Sequence, residues 1–235
     1  MPTEPSPGAR AAIWRASAGI GVYAGAFGLT FGAVAVASGL SRGQAQALSA
    51  VLFSGASQYA LAGVVGAGGS AWAALGPVLL LALRNGFYGV TLAPVLDVHG
   101  PRRLLAAHLV IDETTATATA QTDRPAQRLA FWSTGVVLFA CWNLGTFVGA
   151  LVGSAVDTRV LGLDAAGPAV FLALVWPALQ RSVRARWVAL AGALVALALV
   201  PVAPGGVPVL AAAAAALVGG LLPGRGSRDP EVGAA

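Results

Sequence analysis

Residues 17–40 read SAGIGVYAGAFGLTFGAVAVASGL, an apolar run that contains no charged residue. As a helix, this run is about 36 Å long at 1.5 Å per residue, and the hydrocarbon core of a bilayer is about 30 Å thick. Inside lipid, backbone groups find no water to bond with, so a crossing segment forms a helix rather than a lone strand. The run therefore predicts a transmembrane α-helix near the start of the chain.

Similar apolar runs fill most of the remaining chain. Of 235 residues, 57% are hydrophobic and 10% are charged, whereas a soluble domain carries about 25% charged residues. A water-soluble fold of this size has too little interior to hide so much apolar surface. The fold class that follows is all-α, a polytopic membrane helix bundle. We place its other crossings at residues 45–67, 71–96, 129–155, 165–180, 186–203 and 206–223.

Polar tails are expected at both ends of this bundle. Residues 1–14 are Pro-rich and polar, and residues 224–235 are polar again. The apolar run that follows the first tail is too long for a signal peptide. Residues 15–223 are therefore expected to form a single transmembrane domain.

One further segment leaves the number of crossings open at seven or eight. Residues 104–121 begin apolar, carry Asp112 and Glu113 in the middle and end in a Thr/Ala run. All 14 basic residues are arginines, and basic residues concentrate in cytoplasmic loops. Without a crossing at 104–121, most arginines lie on the side opposite the N-terminus. With that crossing, most share the side of the N-terminus and both termini are cytoplasmic, so the arginines favour eight crossings.

The chain offers little that would hold a metal, a cofactor or nucleic acid. Cys141 is the only cysteine, and His99 and His108 have no HExxH context, so no metal site and no cofactor is expected. The net charge of +5 comes from arginines in loops between apolar runs, where lipid headgroups are the expected partner and nucleic acid is not. A Gly-x-Ser-Gly serine motif is absent, and we do not expect an enzyme.

Polar clusters interrupt the apolar runs, and a polar group in hydrocarbon costs free energy unless it has a partner or a task. The first cluster, Ser54, Ser57 and Gln58, lies in FSGASQY at residues 53–59. Such a stretch can break a helix and free backbone groups to bind a polar ligand. The alternative is hydrogen bonding between helices.

The second cluster is Arg84, Asn85 and Tyr88, in the middle of the third apolar run. An arginine at the bilayer centre is costly, and its planar guanidinium suits a carboxylate. That carboxylate belongs to a substrate or, in the alternative, to Asp112 or Glu113 in a structural ion pair. The two acids can also carry a coupling proton, unless they are simply solvated loop residues.

Small residues spaced three and four apart predict close helix packing, because they line one helix face where a neighbouring backbone can approach. Residues 25–34 resemble residues 142–151 at an offset of 117, half the chain, which suggests an internal repeat. Small residues suit static packing and a moving interface equally. The predicted packing positions are Gly28, Gly32, Gly145, Gly149 and Trp142.

In their order along the chain, these motifs resemble the AzlC family, the large subunits of bacterial branched-chain amino-acid exporters. The likeness spans roughly residues 15–222 and is carried by Gly28-x-x-x-Gly32, Ser54-Gly-Ala-Ser-Gln58, Arg84 to Tyr88-Gly89, Asp112-Glu113-Thr114, and Trp142 with Gly145. The family often has Asn-x-Arg-His before its Tyr-Gly. Here Ala82 and Asn85 stand at the Asn and His positions, so the substrate differs if those positions touch it.

The resemblance implies a subunit of a multi-pass secondary transporter in the bacterial plasma membrane. Its expected substrates are branched-chain amino acids, or similar apolar amino acids such as methionine. It implies a partner as well, a small second membrane subunit of the AzlD type. The proton gradient is the expected energy source of such a transporter. No Walker motif is present, so any use of ATP would need another protein. The alternatives are a permease subunit of an ATP-driven transporter, or a transporter of another small zwitterion or carboxylate.

Overall fold

The computed structural model describes residues 4–155, 172, 175, 176, 178–203 and 207–221. This part of the chain is helical and contains no strand, so the predicted class of an all-helical membrane bundle is confirmed. Most of the predicted crossing at 165–180 lies outside the described residues. The helices are α1 (Pro7–Ala37), α2 (Arg42–Val51), α3 (Gly55–Gly66), α4 (Leu75–Leu96), α5 (Pro101–Leu109), α6 (Asp112–Thr119), α7 (Arg124–Ala155), α8 (Val183–Leu199) and α9 (Val207–Leu221).

Within the described residues, three helices are long and apolar enough to cross a membrane, namely α1, α4 and α7. The first of them begins at Pro7, within the stretch 1–14 that the sequence predicts as a polar tail. The side chain of Ser6 accepts a hydrogen bond from the Ala9 N–H at 3.3 Å and caps the helix. Proline suits the first helical position because its missing N–H would have no partner there.

Helices α1 and α7 lie side by side and run in the same direction. Ser17 Oγ lies 3.0 Å from Ser133 Oγ and 2.9 Å from Thr134 Oγ1. Further along both helices, Gly32 packs directly against the backbone of Thr146. Residue numbers therefore rise together on the two helices, at an offset close to that of the similar stretches 25–34 and 142–151. We call the side of the bundle where α1 begins proximal and the side where it ends distal.

The predicted crossing at 45–67 is wrong, because this segment forms a hairpin of two short helices. With 10 and 12 residues, α2 and α3 are about 15 and 18 Å long, and neither spans about 30 Å of hydrocarbon. The chain enters α2 just after Ser38, and it leaves α3 at Gly66, where a Cβ atom would lie 3.0 Å from Ser38 Oγ. This distal hairpin thus enters and leaves on the distal side.

The ambiguous segment 104–121 is a second hairpin, on the opposite side. Before it, Val95 O accepts a hydrogen bond from Arg128 Nε at 2.8 Å. After it, Gln121 O accepts one from Gln127 Nε2 at 3.0 Å. Because Gln127 and Arg128 are neighbours on α7, the segment formed by α5 and α6 begins and ends on the same side of the bundle. The predicted eighth crossing is therefore wrong, and α4 alone returns the chain to the proximal side before α7.

The tips of the two hairpins meet inside the bundle. The ring of Phe53 in the distal tip lies 5.8 Å from the ring of His108 near the proximal tip, and both pack on Phe139 of α7. Each hairpin follows a long helix and re-enters from the side where that helix ends. The pair α1 with its hairpin and the pair α4 with its hairpin are therefore oppositely oriented.

The remaining described helices, α8 and α9, form an antiparallel pair beside α4. A Cβ on Gly192 would contact Ala212 O at 3.4 Å, and one on Gly219 would contact Val188 Cγ2 at 3.0 Å. Since the numbers run in opposite directions, the two helices are antiparallel. Leu210 of α9 packs against Gly76 near the start of α4, which leaves this pair at the edge of the bundle rather than around the hairpin tips.

Candidate functional site

A cavity of about 270 Å³ lies where the two hairpin tips face helices α1, α4 and α7. At about 30 Å³ per water molecule, it has room for a solute the size of roughly nine waters. Both hairpin tips, where the chain leaves one short helix and enters the next, contribute lining residues. The lining residues are Tyr23, Ala24, Phe27, Phe53, Ser54, Gly55, Ala56, Tyr59, Arg84, Asn85, Ile111, Asp112, Glu113, Leu138 and Trp142.

An ion pair occupies one wall of the cavity. Arg84 Nη2 lies 2.7 Å from Asp112 Oδ2, and the two side chains are 49% and 41% exposed. The guanidinium carbon also lies 5.9 Å from the centre of the Tyr88 ring. Of the carboxylates expected for Arg84, the structure thus provides Asp112. Because the pair is only half-buried, the guanidinium keeps free N–H groups for a second acceptor.

Two oxygen atoms in the same wall have no hydrogen-bond partner. They are Oδ1 of Asn85 and Oδ1 of Asp112, both shielded from solvent. Glu113 lines the cavity next to them. Buried acceptors are almost always paired in folded proteins, so these two atoms are available to a ligand that donates hydrogen bonds.

The predicted cluster in the distal tip divides into one lining residue and two supporting residues. Ser54 lines the cavity. Ser57 is fully buried behind it and donates a hydrogen bond to the carbonyl of Val78 at 3.2 Å. Gln58, also fully buried, donates from Nε2 to the carbonyls of Leu48 and Leu52. The helix break that this cluster suggested is therefore present, and Gln58 satisfies the carbonyls that the break exposes.

Trp142 ties the distal tip to α7. Its Nε1–H donates to Gln58 Oε1 at 3.0 Å, its ring stacks on Phe31 with centroids 6.2 Å apart, and its edge lines the cavity. A Cβ on Gly28 would lie 2.5 Å from the Trp142 carbonyl oxygen. The helix carrying Trp142 can approach α1 this closely only because Gly28 has no side chain.

The other predicted glycines lie in the same α1–α7 contact. A Cβ on Gly145 would meet the backbone of Gly25, and one on Gly149 would meet the backbone of Leu29. Gly32 packs on the backbone of Thr146 in the reverse sense, from α1 onto α7. The close contact holds the tryptophan and the hairpin tip in place, so it positions one wall of the cavity.

The apolar walls were not among the candidate site residues. Tyr23 and Phe27 line the cavity from α1, Tyr59 from α3, and Leu138 from α7. Tyr59 is held by a hydrogen bond from its hydroxyl to the Phe27 carbonyl at 3.1 Å. The spacing of four between Tyr23 and Phe27 places both on one helix face, but in an apolar chain such spacing does not separate a cavity wall from a lipid-facing surface.

Thr114 also has a structural role that the sequence did not indicate. It is fully buried, and its Oγ1 lies 2.7 Å from the Leu109 carbonyl and 3.0 Å from the Ile111 N–H. It therefore satisfies the backbone of the proximal tip, as Gln58 does in the distal tip. Among the described residues, no group of three or more His, Cys, Asp or Glu side chains is placed to hold a metal ion.

The sequence of this chain matches one protein family and a known relative. The family described as "AzlC protein" matches residues 19–156, more than half of the chain and the part that forms α1 to α7. The Escherichia coli (strain K12) "Inner membrane protein YgaZ" is 29% identical over 160 residues, which is 64% of this chain and 65% of YgaZ, just under two thirds of that protein. No solved structure matches. The extent of the first match shows that this membrane protein belongs to the AzlC family.

Proposed function

We propose that this chain is the large subunit of a secondary transporter that exports branched-chain amino acids, or similar apolar amino acids such as methionine, from bacteria. The observation that carries the proposal is the cavity between the hairpin tips. It combines a half-buried guanidinium, Arg84, with apolar walls from Tyr23, Phe27 and Leu138. A small zwitterion with a branched apolar side chain presents the matching groups.

The distal hairpin adds to the attraction for a carboxylate. Helix α3 begins at Gly55 beside the cavity, without a side-chain cap and without an acidic residue in its first turn. Helix N-termini carry a partial positive charge and free N–H groups. Discontinuous helices use their N-termini in this way to hold anionic substrate groups in transporters. Arg84 supplies the full charge and the bidentate geometry.

The acids beside Arg84 suit a role in proton coupling. Asp112 forms an ion pair with Arg84. A substrate carboxylate that takes over the guanidinium removes the counter-charge of Asp112, which makes this acid a candidate to carry the coupling proton. Substrate binding and proton binding are then linked through Asp112 and Glu113, which is what exchange of a proton for an amino acid requires.

An enzymatic role is not proposed, because the lining hydroxyl has no base beside it. Ser54 Oγ donates a hydrogen bond to Ser57 Oγ at 3.1 Å, and Ser57 Oγ donates one to the Val78 carbonyl. Nucleophilic serines instead bond to a general base. A permease subunit of an ATP-driven transporter, or a carrier for another small zwitterion or carboxylate, remains the alternative that substrate assays separate.

A second subunit belongs to the proposal. Helix α4 leaves Leu79, Leu83, Phe87 and Val90 exposed along its length, while the half-exposed ion pair of Arg84 lies on the same helix. A charged pair beside hydrocarbon needs cover. We propose that a small membrane protein of the AzlD type provides that cover in the working exporter.

Export from cells tests the function and the partner together. Bacteria that lack their own branched-chain exporters are loaded with a leucine-containing dipeptide, and the leucine they release is measured. We expect release to rise well above background when this chain is expressed with an AzlD-type subunit, and to stay near background with either protein alone. Full export by this chain alone would contradict the need for a partner, and no export by the pair would contradict the substrate.

The orientation in the membrane follows from the arginines. The proximal side carries Arg10, Arg15, Arg102, Arg103, Arg124 and Arg128, whereas among residues 4–155 the distal side carries Arg42. Basic residues stay on the cytoplasmic side. YgaZ is named as an inner membrane protein, and we propose that this chain lies in the bacterial plasma membrane with its proximal side in the cytoplasm.

Cysteine labelling distinguishes the two hairpins from two crossings. With Cys141 replaced by serine, a cysteine at Gly68 should react with an impermeant maleimide added to intact cells, and a cysteine at His99 should react only after permeabilisation. In an eight-crossing topology the two results exchange, since each hairpin would then carry the following loop to the other side. A cysteine at Pro5 serves as a cytoplasmic control and should behave like the one at His99.

A further inference from the structure

Two unpaired oxygens at the cavity indicate which end of a substrate binds there. Oδ1 of Asn85 projects from α4 and Oδ1 of Asp112 from α6, and both are buried without a hydrogen bond. Both residues line the cavity. A third oxygen of this kind among the described residues, Oε1 of Gln46, belongs to a residue outside the lining. Two orphan acceptors from different helices at one cavity indicate a ligand that donates hydrogen bonds.

The charges at this wall favour a cationic donor. Arg84 contributes one positive charge, and it is paired through Asp112 Oδ2. Asp112 and Glu113 contribute two carboxyl groups, so the wall has one more acid than it has bases. A buried acid without a counter-charge is unfavourable. An ammonium group beside Glu113 provides a local counter-charge for this acid, and a neutral hydroxyl or amide does not.

We propose that the cavity recognises its substrate by a primary ammonium group, held by Oδ1 of Asn85 and Oδ1 of Asp112 and balanced by Glu113. This inference rests on the proposed function, since it assigns one end of the exported amino acid. An ammonium group has three donors, enough for both oxygens and one water or carboxylate more. The substrate carboxylate then lies toward the remaining N–H groups of Arg84.

Recognition of the ammonium group makes Asn85 a specificity residue. The asparagine side chain offers a carbonyl oxygen that is always an acceptor. The exported compound therefore has to carry a free amine. Carboxylic acids of the same shape, which lack the amine, leave the two oxygens unpaired and bind poorly for that reason.

Ligand stabilisation of the purified protein, with its second subunit if one copurifies, tests the site without transport. The probes are 3-methylbutylamine, which has the amine alone, and 4-methylpentanoate, which has the carboxylate alone. We expect the amine to raise the midpoint of thermal unfolding, since a ligand that binds the folded state stabilises it. Asn85→Leu keeps the shape but removes the oxygen and should weaken amine binding about tenfold or more, with binding of the carboxylate unchanged.

Two further variants keep the test decisive. Asn85→Asp keeps Oδ1 and should retain amine binding even if Asn85→Leu fails to fold. Gln46→Leu removes the unpaired oxygen outside the cavity and should leave amine binding unchanged. Absence of amine binding to the unmutated protein, or equal amine binding by Asn85→Leu, overturns the proposal. If the amine binds through Asn85 while cells release no leucine, the ammonium site stands and the proposed exporter function is wrong.

Discussion

Replacing Arg84 by lysine should lower leucine export about tenfold or more while the protein still reaches the membrane. Lysine keeps the positive charge but presents a point charge instead of a planar fork. One of two parallel hydrogen bonds to a carboxylate is then lost, and a hydrogen bond to a charged group contributes about 1.5–3 kcal/mol. Because Arg84 contacts Asp112 at 2.7 Å, the lysine also changes the ion pair with Asp112. Initial rates of leucine release from dipeptide-loaded cells measure the effect.

Arg42→Lys is the matched control for this experiment. Arg42 is exposed at the start of α2 on the distal side and does not line the cavity. The Arg42→Lys variant should therefore export leucine at the rate of the unmutated protein. Membrane abundance of both variants is compared by immunoblotting. Export by Arg84→Lys at the unmutated rate would show that the bidentate contact has no role and that Arg84 is structural.

Replacing Gly149 by alanine should destabilise the folded protein severely. The added Cβ would occupy the space of the Leu29 carbonyl group, and backbone atoms cannot rotate aside as a side chain can. Overpacking a well-packed contact costs about 1–3 kcal/mol and occasionally more. At about 3 kcal/mol, the midpoint of thermal unfolding falls by roughly 6–12 °C for a chain of this size. The midpoint is measured on protein purified in mild detergent.

Gly19→Ala provides the comparison on the partner helix. Its added Cβ would meet nothing within 4 Å, and alanine is the better helix former, so the midpoint should stay unchanged or rise slightly. The two variants make the same chemical change in the same helix pair and differ in what the methyl group meets. Equal midpoints for both would show that α1 and α7 do not touch at Gly149.

The local consequences of polar residues were readable from the sequence. The run at 53–59 predicted a broken helix, and the chain breaks between α2 and α3 at that place. Arg84 was assigned a carboxylate partner, and the structure shows Asp112 in that position. Both predictions follow from one rule, that a polar group in hydrocarbon needs a partner, and this rule depends on residue type alone.

Whether an apolar segment crosses the membrane or turns back as a hairpin could not be read from the sequence in the same way. Hydropathy reports how many apolar residues follow one another, and 25 residues of hairpin and 25 residues of crossing helix look alike on that measure. Residues 45–67 were therefore assigned as a crossing, and residues 104–121 stayed a possible crossing that the arginine distribution favoured. Contacts between Ser38 and Gly66, and between Gln121 and Gln127, show that both segments turn back.

By itself, the sequence determined that this protein is a helical membrane bundle and which polar groups need partners, because both follow from the cost of polar atoms in lipid. Only the tertiary structure decided that two segments are hairpins, that their tips meet beside Phe139, and that Asn85 and Asp112 share one wall of a cavity. Those features depend on contacts between residues far apart in the chain. In lipid, where every helix face can be apolar, such contacts are chosen by the fit of small residues and hydrogen-bond partners rather than by hydrophobicity.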